Sequence, residues 1–260
     1  MAAKITITDV CGAACVTCLQ NLVRPQRTMS VDMLVQVLDA VASRVDHVFI
    51  NSTGDYLHLP NASEYTSVLH RFVELNPQTP RVSITTNGGF DGQPDLSFAD
   101  VVVSFNCVTA DAYQTYIGLD MAKVINNIRY LASTCEGMEI HSLAWPMNLS
   151  PDQRLLELFG DLPVRIRVSH KVDNQGLWQV QQERVPCDYL DAIVINPDGA
   201  VRLCSHDFNS TVILGTVFDL DAVKSGQSTW KRRHSVGDFA GPCRDCSYNL
   251  AKPNDIYYIK

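Results

Sequence analysis

The sequence predicts an α/β fold in two parts, a partial (β/α)6 barrel followed by a small C-terminal module built from a β-hairpin and a helix. Three observations predict it. Strand-like and helix-like stretches alternate from Lys4 to His170, the alternation stops near Lys171, and the nine cysteines fall mainly into an early and a late group. Alternating β and α elements favour a parallel sheet joined by right-handed crossovers. The boundary is expected between residues 175 and 176, giving units 1–175 and 176–260.

Apolar runs with strand character lie at 4–10, 47–52, 81–87, 100–106, 139–145 and 164–170. Between them, apolar residues recur at helical spacing over 31–43, 64–76, 122–134 and 151–162. The last of these opens on Ser150-Pro151-Asp152-Gln153, which reads as an N-cap hydroxyl, a proline at the first helical position and a glutamine three residues after the cap. In the C-terminal part, residues 191–195 and 200–203 flank Asn196-Pro197-Asp198-Gly199, a turn with proline at its second position. That pattern predicts a hairpin. A helix is expected over 221–233.

Composition narrows the class of protein. An apolar fraction of 46% and a charged fraction of 19% are those of a globular domain with a sizeable core. No apolar run is long enough to cross a bilayer and the N-terminus carries no secretion signal, so no membrane partner and a cytoplasmic location are expected. Cysteines in that compartment point to metal binding or catalysis rather than disulfides. A net charge of −7 argues against nucleic acid as a partner. The basic run Lys231-Arg232-Arg233 reads as a solvated helix face. An acidic balance suits a small cationic substrate.

The early cysteines, Cys11, Cys15 and Cys18, are spaced C-x3-C-x2-C in the loop after the first strand. Three thiolates at that spacing hold three irons of a 4Fe-4S cluster and leave the fourth open. Ferredoxin sites add a fourth cysteine, whereas zinc sites favour C-x2-C pairs and four ligands. Two further motifs follow at strand ends, Thr53-Gly54-Asp55 and Thr86-Asn87-Gly88. Each reads on its own as a glycine-supplied turn. Because chemistry in open parallel folds gathers at the C-terminal ends of strands, Ser104, Asn106, His141, Trp145, Arg167 and His170 are pocket candidates. The late group is Cys187, Cys204, Cys243 and Cys246, for which structural zinc is the competing reading.

The segment CGAACVTC resembles the signature of the radical S-adenosylmethionine (radical SAM) enzymes. The two strand-end motifs resemble that family's "GGE" and "TNG" elements in order and spacing, with Asp55 where glutamate is common and Thr17 where an aromatic residue is usual. The phrase IVINPDGAVRLCSHDF, followed by Ile213-Leu214-Gly215-Thr216-Val217, resembles the auxiliary-cluster extensions called SPASM and, in shorter form, twitch. The resemblance implies two 4Fe-4S clusters, one on Cys11, Cys15 and Cys18 and one on the four late cysteines. It implies S-adenosylmethionine bound by Gly54, Asp55, Asn87, Ser104 and Asn106, and an external one-electron reductant such as flavodoxin or ferredoxin.

Within that group the chain is similar to the 2-deoxy-scyllo-inosamine dehydrogenases of butirosin formation. That similarity implies oxidation of a hydroxyl-bearing carbon in a small polar substrate, an aminocyclitol or amino sugar of antibiotic biosynthesis, with the second cluster as electron acceptor. An Asn-Arg-Gly stretch of that enzyme is matched here by Asn174-Gln175-Gly176, and glutamine hydrogen-bonds an alcohol without supplying charge. His58, His170, Asn174 and Gln175 are the expected substrate contacts. Two cysteines stand outside both groups. Cys135 reads as structural, whereas Cys107, after the fourth strand, is a candidate hydrogen donor, which makes an amino-sugar epimerase the alternative. A peptide-modifying maturase is a further alternative; ten residues precede Cys11, so no leader-gripping domain is expected there.

Overall fold

The computed structural model describes residues 1–16, 18, 26–51, 53–77, 81–144, 148, 150–170, 187–244, 246 and 256–260. The barrel strands are β1 (Ala2–Ile5), β2 (His47–Ile50), β3 (Arg81–Thr86), β4 (Asp100–Ser104), β5 (Met138–Ala144) and β6 (Arg165–His170). They pair in parallel in sequence order, which is the expected partial barrel. The helices between them are α1 (Val31–Val41), α2 (Ala62–Leu75), α3 (Ala110–Tyr116), α4 (Met121–Thr134) and α5 (Asp152–Phe159). Ser30 caps α1 by accepting from Met33 N at 3.1 Å, and Asp120 caps α4 by accepting from Ala122 N at 2.9 Å.

Alternation along each strand separates two faces. Val101, Val103 and Phe105 are buried, and the Phe105 ring lies 5.0 Å from Tyr113 and 5.1 Å from Phe159, so this side meets the helices. Burying each such side chain is worth roughly 1.5–3 kcal/mol. The intervening Ser104 lies on the opposite, open side. One predicted helix start is corrected. Ser150 has φ 52° and α5 has no side-chain cap, because a left-handed residue cannot adopt the extended backbone from which a hydroxyl reaches the first turn.

The C-terminal module consists of β7 (Ala192–Ile195), β8 (Ala200–Arg202), β9 (Ile213–Thr216) and α6 (Leu220–Ser235), and β10 (Ile256–Tyr258) returns to pair antiparallel with β6. The hairpin forms at the expected turn, with Asn196 N donating to Ala200 O at 2.9 Å. It is not a separate appendage to the sheet. β7 pairs in parallel with β1, so the order of the one sheet runs β10-β6-β5-β4-β3-β2-β1-β7-β8-β9. The expected boundary at 175–176 lies outside the described residues. The basic run is a solvated helix face, where Lys231 pairs with Asp191 and Arg233 with Asp238.

Candidate active site

The loop after β1 carries the early cysteines. Thr8 bridges to Thr28, and its hydroxyl accepts from Val10 N at 3.0 Å. The loop then docks on the end of α3, where Ala14 N donates to Ile117 O at 2.8 Å and Val16 N to Tyr116 O at 2.9 Å. Cys11 and Cys15 are half-buried and Cys18 is exposed. Burial, then the neighbouring thiolates of Cys18 and Cys11, push Cys15 up to about 12. Cys11 is raised to about 11, again chiefly by burial, with Asp55 and Cys18 adding to it. The three sulfurs therefore feel one another across a single loop.

Two other loops close on this one. Gly54, at φ 65°, lies against the backbone of Thr8, where any Cβ would collide with the carbonyl oxygen. Asp55 N donates to Val10 O at 2.9 Å. Its carboxylate turns inward and Asp55 is only 1% exposed. One oxygen accepts from Asn51 Nδ2 at 3.1 Å and Leu57 N at 3.2 Å, the other from Thr86 Oγ1 at 2.7 Å and Asn87 N at 3.0 Å. Burial raises the Asp55 pKa, with His58 the leading opposing influence. A carboxylate offers about four lone-pair sites, and all are engaged within the chain. These bonds make Asp55, an expected S-adenosylmethionine contact, a strut tying the end of β2 to the Asn87 turn.

Asn87 stands nearer the cysteines. Its Nδ2 donates to Cys11 Sγ at 3.3 Å, while its Oδ1 accepts from Gly89 N at 2.7 Å and from His58 Nε2 at 2.9 Å. Since that oxygen only accepts, His58 carries a proton on Nε2. The imidazole lies over Gly12, where a Cβ would strike the ring. His58, an expected substrate contact, buttresses the cysteine loop.

The open face of β4, β5 and β6 carries a polar row. Ser104 pairs in register with His141, and Asn106 Oδ1 accepts from Leu143 N at 3.1 Å. His141 Nε2 lies 2.8 Å from Ser169 Oγ, and Arg167 Nε donates to Glu139 at 2.6 Å. Burial first, then the Arg167 charge, hold the His141 pKa down at about 4, so the imidazole is neutral at pH 7. His170 ends β6, whereas Trp145, Asn174 and Gln175 lie outside the described residues.

Cys107 lies just beyond the end of β4. It is fully buried two residues beyond Phe105, whose ring faces the helices, and its charge is felt by Cys15 and Tyr113. Cys135 caps the C-terminus of α4 and is buried, as a structural cysteine would be.

The late cysteines, distant in sequence, meet. Cys187, Cys204, Cys243 and Cys246 line one small cavity with His206 and His234. Burial, opposed by backbone N–H groups of His206 and Asp207, brings Cys204 to about 11. Cys243 is pushed up to about 12 by burial and then by the other three thiolates. Asp207 holds the loop after Cys204 by accepting from Thr211 N and Val212 N, each at 2.9 Å. Among the described residues no three His, Cys, Asp or Glu side chains are placed to share a single metal ion. The four cysteines share the lining of that one cavity.

No family model and no curated protein matches the sequence. Solved structures do resemble the chain. anSMEcpe with bound AdoMet superposes with a TM-score of 0.68 at 13% identity, over 98% of this chain and 89% of that one. BtrN in complex with AdoMet and 2-DOIA gives 0.58 at 13%, over 96% and 92%. This is the fold of the radical SAM enzymes with SPASM or twitch domains. SuiB of Streptococcus suis, bound to precursor peptide SuiA, gives 0.67 at 11%, over 87% of this chain and 64% of that longer one.

In this fold the early cysteines share one loop after β1 and the late four line one cavity. Sequence reading missed Asn51, which orients Asp55, and Tyr113, a fully buried phenol with no hydrogen-bond partner among the described residues. The left-handed φ of 64° at Asn51 has no sequence signature beyond asparagine's tolerance of it. α3, which carries Tyr113, spans only two turns and shows no extended periodicity.

Proposed function

We propose that the chain is a radical SAM dehydrogenase that oxidises a secondary alcohol in a small polar substrate of the aminocyclitol or amino-sugar class. When bound, a reduced cluster and S-adenosylmethionine supply a 5′-deoxyadenosyl radical able to take hydrogen from a hydroxyl-bearing carbon. The alcohol loses one hydrogen atom, one proton and one electron to become a ketone. The observation that carries the reading is the second cysteine set, in which four ligands around one cavity leave no position open for substrate. Such a site suits storage of the departing electron. Asn87 orients Cys11, and Asp55 and Gly54 hold the Asn87 turn and the cysteine loop in register. Neutral His141, braced by Ser169, is suited to accept a hydrogen bond from the substrate hydroxyl, and Glu139 with Arg167 provides a charged wall beside it.

A second reading is peptide oxidation, favoured by the structural likeness to SuiB bound to a precursor peptide and to anSMEcpe, which is also known with bound Cp18Cys peptide. Turnover of anaerobically reconstituted enzyme in deuterated water separates the readings. Loss of two hydrogens from an aminocyclitol or amino sugar, with formation of 5′-deoxyadenosine, supports dehydrogenation. An unchanged formula with one carbon-bound deuterium contradicts it. Oxidation of peptides alone favours the second reading.

A further inference from the structure

We infer that Lys4 and Arg202 form a built-in cationic wall that raises the reduction potential of the cluster held by Cys187, Cys204, Cys243 and Cys246. The inference rests on the reading of those cysteines as a cluster site. Its geometry comes from the sheet. Lys4 on β1 is in register with Val194 on β7, and Val194 is in register with Arg202 on β8. Residues in one cross-strand row project from the same face. Two cations therefore flank a valine in one cross-strand row, and Cys204 follows Arg202 by two residues. Lys4 Nζ donates to Ser205 Oγ at 3.4 Å, directly beside Cys204. Arg202 is 1% exposed, the largest fully buried side chain among the described residues. Both side chains feel the charge of Cys204, and Lys4 also feels that of Cys187.

Arg202 also feels Asp9, which pairs with Arg27 and precedes Cys11 by two residues. A 4Fe-4S cluster on four thiolates is anionic and gains one negative charge on reduction. Charges in a poorly solvated setting interact more strongly than in water, so fixed cations favour the reduced form. Net charge and hydrogen bonding to the sulfurs are established means of tuning such potentials. An arginine keeps its charge at any pH at which the protein is folded.

The test is an EPR-monitored redox titration of the full-length chain carrying Cys11→Ala, Cys15→Ala and Cys18→Ala, reconstituted so that only the second cluster contributes. Lys4→Met is expected to lower the ratio of reduced to oxidised cluster at the parent midpoint about tenfold, equivalent to about 59 mV for a one-electron couple. Lys4→Arg is expected to restore it. Arg202→Lys is expected to change the midpoint little, and Arg202→Met, where it folds, to lower it like Lys4→Met. An unchanged midpoint in Lys4→Met overturns the proposal while leaving the cluster reading intact. A colourless, zinc-loaded parent overturns the cluster reading and the proposal with it.

Discussion

The two cysteine sites differ in how they are enclosed. The early set sits on one short loop, with Cys18 exposed and Cys11 hydrogen-bonded by Asn87 from a neighbouring strand end. The late set draws Cys187, Cys204, Cys243 and Cys246 from four positions around one small cavity. In the dehydrogenase reading the first site would admit a ligand and the second would keep an electron.

The largest effects come from removing ligands, and they should differ between the sites. Cys18→Ala is expected to abolish 5′-deoxyadenosine formation while leaving the iron-sulfur absorbance of the second site. Cys243→Ala is expected to leave reductive cleavage of S-adenosylmethionine measurable by chromatography but to stop accumulation of oxidised product. If both variants lose cleavage equally, the division of labour is wrong.

Next come the struts of the first site. Asp55→Asn places an amide N–H₂ where two donors now meet an oxygen, and should cost roughly 1–3 kcal/mol in chemical denaturation of the cluster-free chain. Gly12→Ala should destabilise the loop by collision with His58. Combining it with His58→Ala should recover part of the loss, with an interaction energy of about 0.5–3 kcal/mol. Simple additivity would mean that His58 does not buttress the loop.

The smallest effect concerns pH. His141 has its pKa lowered to about 4 from an ordinary 6.5, so the unfolded chain binds its proton more readily between those values. Its contribution is full above about pH 6.5 and is lost as pH falls toward 4. The stability difference between the wild type and His141→Gln should shrink over that window in urea titrations. A difference independent of pH would show that His141 is not buried neutral.

Much of this was legible in the residues. The C-x3-C-x2-C spacing, the strand-end motifs and the Asn196-Pro197-Asp198-Gly199 turn are local patterns whose outcome depends on nearby residues. What was not legible depends on contacts made at long range. Nothing within residues 191–195 announces that β7 will lie parallel to β1, yet that pairing puts Lys4 beside Ser205. Asp55 was read as a cofactor contact because its place in the motif is local, whereas its inward turn depends on Asn51, Thr86 and Asn87 together.

The central claim is that the chain holds two unlike clusters, only one of which meets the cofactor. EPR of the fully reconstituted, reduced protein, recorded with and without S-adenosylmethionine, tests it most directly. The account predicts two 4Fe-4S signals, one that shifts when S-adenosylmethionine is added and is lost in Cys15→Ala, and one that stays unchanged and is lost in Cys204→Ala. A single signal, or two signals that both shift, would contradict it.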